Sequence, residues 1–214
     1  MLKQETLNAF ESFCAEAKKQ GFEPKIESGW RSFERQLLIW NEKVLGKRKI
    51  LDEAGKPISR EELSDLDCMK AILLWSALPG TSRHEWGTDI DVIDAASVPE
   101  GYEAELTVEE SFGVFGEFHK WLDFQIESGN SFGFRRVFLP GIGRVQQEPW
   151  HLSYVPEAKK IEENFTPKNL TERLEKSDIL LLPQILENLD WILEKHVVCY
   201  FTSQPGPLQL SLPS

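Results

Sequence analysis

Short stretches with the alternation of a β-strand are interspersed irregularly among longer stretches with helical periodicity. Residues 88–94 carry Ile90 and Val92 on one side and Asp89 and Asp91 on the other. Apolar spacing predicts helices over residues 2–20, 33–45 and 108–128, and short strands over residues 23–29, 134–139 and 151–155. Because this order shows no strict βαβ repeat, the sequence predicts an α+β fold with a small, mainly antiparallel sheet flanked by helices.

A polar segment interrupts this pattern at residues 46–66, which we expect to form an exposed insertion. Near its end, Ser59 and Glu62 have the spacing of a capping box. The pattern predicts a helix that begins at this point and runs to about Ala77.

The C-terminal part of the chain has a different composition. Residues 168–195 are rich in Leu and Glu and predict one or two amphipathic helices, broken near Pro183. We therefore expect a domain over residues 1–160 and a helical extension over residues 161–214 that packs on it.

The overall composition argues against several classes of protein. The chain has 35 acidic and 24 basic residues, and a formal net charge of −11 disfavours a nucleic-acid binder. The three cysteines are widely spaced, so they predict neither a disulfide framework nor a cysteine metal site. We expect them to be small buried residues.

The sequence also bears on location. The first residues lack the apolar core of a signal peptide, and the longest apolar run, residues 71–75, is far too short to span a bilayer. The expectation is a cytoplasmic protein without a membrane span. A periplasmic location is the alternative if a leader segment has been removed, and the oligomeric state is left open.

Two of the four histidines have neighbours suited to metal chemistry. His84 is followed by Asp91, and His151 is preceded by Glu148. Hydrolysis at zinc needs three nitrogen or oxygen ligands with one open position, and a separate carboxylate that moves the proton of the water. His84, Asp91 and His151 can supply the ligands, and Glu148 can supply the base.

The local backbone excludes one kind of zinc site. Pro149 disfavours helical geometry at Glu148, so this is not the helical H-E-x-x-H arrangement. We expect a site built from turns and strands, with His151 opening a strand. His119 and His196 have no further ligand types at suitable spacing and are given no role.

The same residues carry a resemblance to a known family. Ser82-x-His84-x-x-Gly87-x-x-x-Asp91, followed by Glu148-Pro149-Trp150-His151, resembles the VanY-type zinc D,D-carboxypeptidases, which belong to the LAS-type peptidoglycan metallopeptidases related to the hedgehog domain. The segments 28–36 and 131–134 resemble two further family motifs, in the family's order. The resemblance covers about residues 25–156.

The resemblance implies roles for individual residues. It makes His84, Asp91 and His151 the zinc ligands and Glu148 the base, and it matches Arg31 to the arginine that steadies the substrate's charge. The substrate-binding candidates are Ser82 and Gln36, which match residues that hydrogen-bond substrate, and Trp150, which is expected to pack beside the site.

Two positions depart from the family pattern. Asp89 stands where the family has a small residue, and Trp30 replaces the usual Tyr. Asp89 could tighten metal binding, orient a ligand or face water, and we expect it to support a ligand or face water rather than bind metal itself.

The implied function is removal of the C-terminal D-Ala from peptidoglycan stem peptides or muropeptides by water activated at zinc. Three other cleavages remain open on the same site: those of a D-Ala-D-Ala dipeptidase, an L,D-carboxypeptidase and an L-Ala-D-Glu endopeptidase. A zinc-stabilised binding module without turnover is the alternative from another class. Glu148 speaks against that module, because a structural zinc site does not need an unliganded carboxylate.

Overall fold

A computed structural model describes residues 1–202 of the chain. In chain order its strands are β1 (Pro24–Ser28), β2 (Ile50–Leu51), β3 (Pro57–Ile58), β4 (Asp89–Asp94), β5 (Phe134–Arg136) and β6 (His151–Tyr154). Four of them form one antiparallel sheet in the order β1-β4-β6-β5, and β2 pairs with β3 in a separate hairpin. The predicted α+β class with an antiparallel sheet is confirmed.

Nine helices surround these strands in residues 1–202. They are α1 (Gln4–Lys19), α2 (Phe33–Val44), α3 (Asp65–Leu73), α4 (Val108–Phe112), α5 (Gly116–Glu127), α6 (Val155–Glu162), α7 (Pro167–Glu175), α8 (Leu182–Glu187) and α9 (Leu189–His196). In this part of the chain no helix is long and apolar enough to cross a membrane.

One face of the sheet is apolar and packs against α1 and α5. Ile90 and Val92 of β4 lie in a buried cluster with Phe13 of α1 and Phe118 of α5. Because successive side chains of a strand point to opposite faces, the intervening aspartates of β4 project from the other face. The alternation in residues 88–94 therefore places one face of the sheet in the hydrophobic core, whereas the other face carries the polar side chains.

A second core joins α2 and α3 to the C-terminal helices. Trp40 of α2 and Met69 of α3 are buried with Leu174 of α7, Ile185 of α8 and Ile192 of α9. The Trp40 indole Nε1 also donates a hydrogen bond to the carbonyl oxygen of Leu180 at 3.1 Å. The helices that follow residue 166 thus share a hydrophobic core with the first half of the chain.

The predicted start of α3 is wrong. The Ser59 side chain makes no capping bond, and residues 60–62 form only a short 3₁₀ turn. Leu63 is in extended backbone, which ends that turn, and the Ser64 hydroxyl instead accepts the cap hydrogen bond from the Asp67 amide. The helix then ends at Leu73, before the predicted Ala77.

Other predicted elements are divided or shorter. The predicted helix 108–128 is two helices, broken at Gly113, where a Cβ would lie 2.6 Å from the Glu109 carbonyl oxygen. Phe112, at the end of α4, is consequently 68% exposed and not a core residue. The predicted break near Pro183 is confirmed, because α7 ends at Glu175 and Pro183 lies in the first turn of α8, although this region forms three helices and not one or two. Strand β5 ends at Arg136.

Candidate metal centre and active site

Strand pairing brings two of the predicted ligands together. Asp91 of β4 is directly opposite His151 of β6 in the antiparallel register. Opposed residues of such a pair project from the same face with their Cβ atoms about 5 Å apart. Here the His151 Nδ1 lies 3.0 Å from the Asp91 Oδ1.

The third predicted ligand comes from a turn just before β4. His84 lies in a 3₁₀ turn over Arg83–Trp86, which Gly87 ends in a left-handed conformation with φ of 72°. The His84 Nδ1 is 2.8 Å from the Gly29 carbonyl oxygen. Since a carbonyl oxygen only accepts, Nδ1 is the donor, and Nε2 is the ring nitrogen that remains available to a metal ion. That Nε2 is 3.3 Å from the Asp91 Oδ2.

These three side chains fit a metal ion of the zinc type. One ligand atom from each of His84, Asp91 and His151 lies within 4.8 Å of the others, and all three residues are buried. Two imidazole nitrogens and one carboxylate oxygen form the donor set that catalytic zinc takes in proteins. The structure thus brings together the three residues that the sequence predicted as ligands.

Asp89 lies behind His151 rather than at the metal position. Its Oδ2 is 2.9 Å from the His151 Nε2, and the residue is completely buried. The Arg83 guanidinium and the Thr88 and Ser153 hydroxyls also donate hydrogen bonds to this carboxylate. The possibility that Asp89 faces water is therefore wrong, and its contact with a ligand side chain is direct.

The pKa values of this cluster reflect strong mutual interaction. Burial alone would lower the pKa of His151, but its hydrogen bonds to Asp89 and Asp91 outweigh burial and raise that pKa to about 10. Burial alone would raise the pKa of Asp91, but His84 and His151 outweigh it and hold that pKa well below its usual range. The site therefore keeps Asp91 ionised and, without a metal ion, keeps His151 protonated between two carboxylates.

Glu148 lies next to the ligands, in the turn that leads into β6. The Glu148 carbonyl oxygen accepts a hydrogen bond from the His151 amide, and its Oε2 is 3.5 Å from the His151 Nδ1. Burial raises the pKa of Glu148 to about 7, with His151 and Arg31 opposing the rise and Asp91 adding to it. A carboxyl group with a pKa near neutrality can both accept and return a proton.

Arg31 is fixed beside the site by its backbone and its side chain. Its amide donates to the His84 carbonyl oxygen, and its Nη1 donates to the Gln36 Oε1 at 2.8 Å. The Gln36 Nε2 in turn donates to the Ala77 carbonyl oxygen at 2.7 Å. Both ends of the buried Gln36 amide are thus bonded within the protein, so in this geometry Gln36 holds Arg31. A direct contact of Gln36 with substrate stays a prediction.

A cleft of about 650 Å³ opens over the cluster. Ser82, Arg31, Glu148 and Trp150 line it together with the three ligand residues. Three further segments form walls of the cleft. The β2–β3 hairpin contributes Glu53 and Gly55, residues 105–109 contribute Glu105 and Glu109, and the C-terminal segment contributes Val197, Tyr200 and Phe201.

Sequence reasoning missed two aromatic residues of this cleft. The Phe138 ring packs edge-on against the His151 imidazole, with 4.7 Å between ring centroids, and also against Tyr200 at 4.9 Å. Phe138 reads as an ordinary strand residue, and Tyr200 lies 49 positions beyond His151, outside the resemblance. No spacing or composition signal in the sequence connects them to the site.

Comparison with known proteins identifies the family of this chain. The model of the family described as "VanY: D-alanyl-D-alanine carboxypeptidase" matches residues 1–157. The chain belongs to the VanY family. This family of peptidoglycan carboxypeptidases is the one that the sequence resembles, and the matched residues contain every predicted ligand, the predicted base and Arg31.

Curated relatives match parts of the chain. It is 44% identical over 77 residues to an uncharacterized protein of Haemophilus influenzae, covering 36% of this chain and 53% of that protein. It is 28% identical over 181 residues to the putative carboxypeptidase YodJ of Bacillus subtilis (82% and 55%), and 30% identical over 143 residues to a D-alanyl-D-alanine carboxypeptidase of Enterococcus faecalis (65% and 42%). The chain thus spans about half the length of these three relatives.

Solved structures of VanY-type peptidases are also similar. A mutant of the vancomycin resistance D,D-pentapeptidase VanY, in complex with Zn(II), superposes with a TM-score of 0.49 at 27% identity, covering 72% of each chain. VanYB in complex with D-alanine-D-alanine superposes with a TM-score of 0.48 at 25% identity, covering 83% of this chain and 84% of that one. Because both scores are below 0.5, membership of the VanY family rests on the sequence match.

Proposed function

We propose that this protein is a zinc-dependent D,D-carboxypeptidase that releases the terminal D-Ala from peptidoglycan stem peptides. The observation that supports it most directly is the convergence of His84, Asp91 and His151 within 4.8 Å, with Glu148 beside them in an open cleft. Membership of the VanY family supports the substrate class.

The ligand residues and the base would divide the chemistry between them. His84 through Nε2, His151 through Nδ1 and Asp91 through a carboxylate oxygen would hold the zinc. When bound, zinc lowers the pKa of a water molecule and polarises the scissile carbonyl group. Glu148 would accept the proton of the attacking water and deliver it to the departing amine of D-Ala, and a pKa near 7 suits both transfers.

Arg31 would supply selection for a free C-terminus. Its guanidinium is anchored by Gln36 and lines the cleft with Ser82, so a planar cationic group would face a peptide bound there. Such a group can bind a carboxylate through two parallel hydrogen bonds, or stabilise the oxyanion of the tetrahedral intermediate. A substrate whose anionic terminus lies one residue beyond the scissile bond fits this arrangement.

The proposal is tested with zinc-loaded protein and defined stem peptides of three, four and five residues, with products identified by mass spectrometry. We expect the pentapeptide to lose one D-Ala most rapidly. Release of the intact dipeptide would indicate a D-Ala-D-Ala dipeptidase, and cleavage of the tetrapeptide alone would indicate an L,D-carboxypeptidase.

Two outcomes would contradict the peptidase assignment itself. Faster release from a matched peptide ending in L-Ala-L-Ala would exclude a cell-wall substrate. Zinc binding without cleavage of any stem peptide would favour the binding module.

A further inference from the structure

A series of buried polar contacts connects His151 to the C-terminal end of the described residues. The Asp89 Oδ2 contacts the His151 Nε2 at 2.9 Å and accepts a hydrogen bond from the Arg83 Nε at 2.7 Å. The Arg83 Nη1 donates to the Glu162 Oε1 at 3.1 Å, and the Thr202 amide donates to that same oxygen at 2.8 Å. Four contacts thus connect a predicted zinc ligand to the segment that follows α9.

The residues of this series of contacts are buried, and their polar groups have hydrogen-bond partners. Arg83, Asp89, Glu162 and Thr202 are all buried. The remaining Arg83 donors reach the Ser153 hydroxyl at 2.7 Å and the Tyr200 carbonyl oxygen at 3.3 Å. A buried ion pair is weak evidence for stability, because the cost of removing both charges from water offsets most of their attraction. Its place behind a ligand suggests a role at that ligand.

We propose that Asp89 is a positioning residue for the metal ligand His151, and that the C-terminal segment supports it through Glu162 and Arg83. This inference rests on the proposed function only in requiring that zinc binds at His84, Asp91 and His151. A carboxylate that accepts the second ring N–H of a metal-bound histidine fixes its tautomer and ring orientation and makes it a stronger ligand.

Each residue in this series of contacts has a defined role. With zinc in place of its Nδ1 proton, His151 would keep the Nε2 proton bonded to Asp89 and present Nδ1 on the side of Asp91 and His84. Arg83 holds the same Asp89 oxygen and is itself held by Glu162. Because Thr202 bonds to Glu162 through both its amide and its hydroxyl, the C-terminal segment holds the Glu162 carboxylate in place.

The test measures the zinc affinity of the metal-free full-length protein by competition with a chromophoric chelator. Asp89→Asn keeps the volume but removes the charge, and we expect about 10- to 100-fold weaker zinc binding. Asp94→Asn is the matched control, since Asp94 is equally buried on the same strand but bonds to Glu23, Ala96 and Ser97 instead. It should leave zinc affinity unchanged.

A spectroscopic readout separates positioning from general loss of structure. Cobalt(II) bound to the wild-type protein should give an absorption spectrum that changes in Asp89→Asn and not in Asp94→Asn. Thermal unfolding of each metal-free variant shows whether it is folded. If Asp89→Asn does not fold, Glu162→Gln and Thr202→Val carry the test, and both should bind zinc more weakly than the wild type and change the cobalt spectrum.

The outcomes distinguish this inference from the proposed function. Equal zinc affinity and cobalt spectra in the wild type and in a folded Asp89→Asn variant would overturn the role of Asp89. Unchanged affinity in both Glu162→Gln and Thr202→Val would overturn the part of the C-terminal segment. A wild-type protein that binds no zinc would overturn the proposed function and this inference together, whereas zinc binding without peptidase activity would overturn only the former.

Discussion

Glu148 and Asp91 both approach the same nitrogen of His151, but they are suited to different tasks. Asp91 lies 3.0 Å from Nδ1 and remains ionised, as a ligand must, whereas Glu148 lies 3.5 Å away with a pKa near 7. In the proposed mechanism Asp91 is therefore the ligand, and Glu148, which changes protonation near neutrality, is the base.

Replacing Glu148 with Gln should separate these two tasks. The amide keeps the size of the side chain but cannot accept a proton, so we expect unchanged zinc content and a turnover lower by about 10²-fold or more. Metal analysis and initial rates on the pentapeptide stem measure both. Near-normal turnover in Glu148→Gln would remove this residue from the mechanism.

Arg31→Lys should lower catalytic efficiency strongly with little change in stability. Lysine keeps the charge but loses the planar pair of donors that a carboxylate or an oxyanion engages. Rates on free-acid and C-terminally amidated peptides distinguish the two roles, because loss only on free acids indicates carboxylate docking. Arg35→Lys, at an exposed position of α2, is the control, and equal behaviour of the two variants would make Arg31 purely structural.

At this scale the sequence predicted which residues converge, because His84, Asp91, Glu148 and His151 lie in short motifs with specific spacing, and their roles as ligands and base stay predictions. It left the role of Asp89 open and did not indicate Phe138. Their contacts with His151 depend on the register of β4 against β6 and on a loop after β5, and neither leaves a local signature.

Among the elements, the C-terminal helices should stabilise the protein through the core that they share with α2 and α3. Leu174 of α7 is completely buried against α2 and α3, so Leu174→Ala should lower the free energy of unfolding by about 2–5 kcal/mol. Urea denaturation measures the change. Leu38→Ala, at a side chain 45% exposed on α2, is the control and should cost much less. Equal effects would mean that α7 does not share the core.

Helix boundaries were the least predictable part of the fold. Ser59 and Ser64 both precede acidic residues at capping distance, and only the extended backbone at Leu63 decides between them. A true capping box, at Thr107 and Glu110, begins α4, but Gly113 ends that helix after five residues. Tertiary packing determines which of several similar capping signals begins a helix, and the hydrophobic periodicity of the sequence does not indicate which one.

At the scale of the whole molecule, His119 contributes a loss of stability in mild acid, which the raised pKa of Glu148 opposes. Burial, reinforced by Arg136, lowers the pKa of His119 to about 3 from about 6.5. Between these values only the unfolded chain binds the proton, so stability falls as the pH decreases, by up to about 1.4 kcal/mol per pH unit. The contribution of His119 is measured as the difference between the wild type and a variant that does not titrate at this position, each unfolded at pH 7.5 and at pH 5.

His119→Asn provides the matched comparison. Asparagine can still accept the hydrogen bond that Arg136 gives to the His119 Nδ1, but it does not titrate in this range. The variant should lose less stability than the wild type between the two pH values. An identical loss would assign the acid sensitivity to other groups, such as His196, whose pKa burial lowers to about 4.

Zinc should also stabilise the folded protein as a whole. A ligand that binds only the folded state at 100 times its Kd adds about 2.7 kcal/mol, so the melting temperature should rise with zinc and fall with a chelator. His84→Ala should abolish this response. A zinc-dependent shift that persists in His84→Ala would place the ion elsewhere.

The walls of the cleft have a different origin from its floor. The floor is formed by two paired strands and the turns that lead into them, whereas the walls come from the β2–β3 hairpin, from residues 105–109 and from the segment after α9. These three segments are far apart in sequence. Under the proposed function, the hairpin and residues 105–109 can therefore change in length or composition without moving the reacting groups, so selectivity among stem peptides can diverge between homologues while the hydrolytic step stays the same. The segment after α9 differs from them, because it is connected to His151 through Glu162, Arg83 and Asp89. Exchanging the hairpin alone with that of a relative should alter which peptide is preferred and leave zinc binding intact.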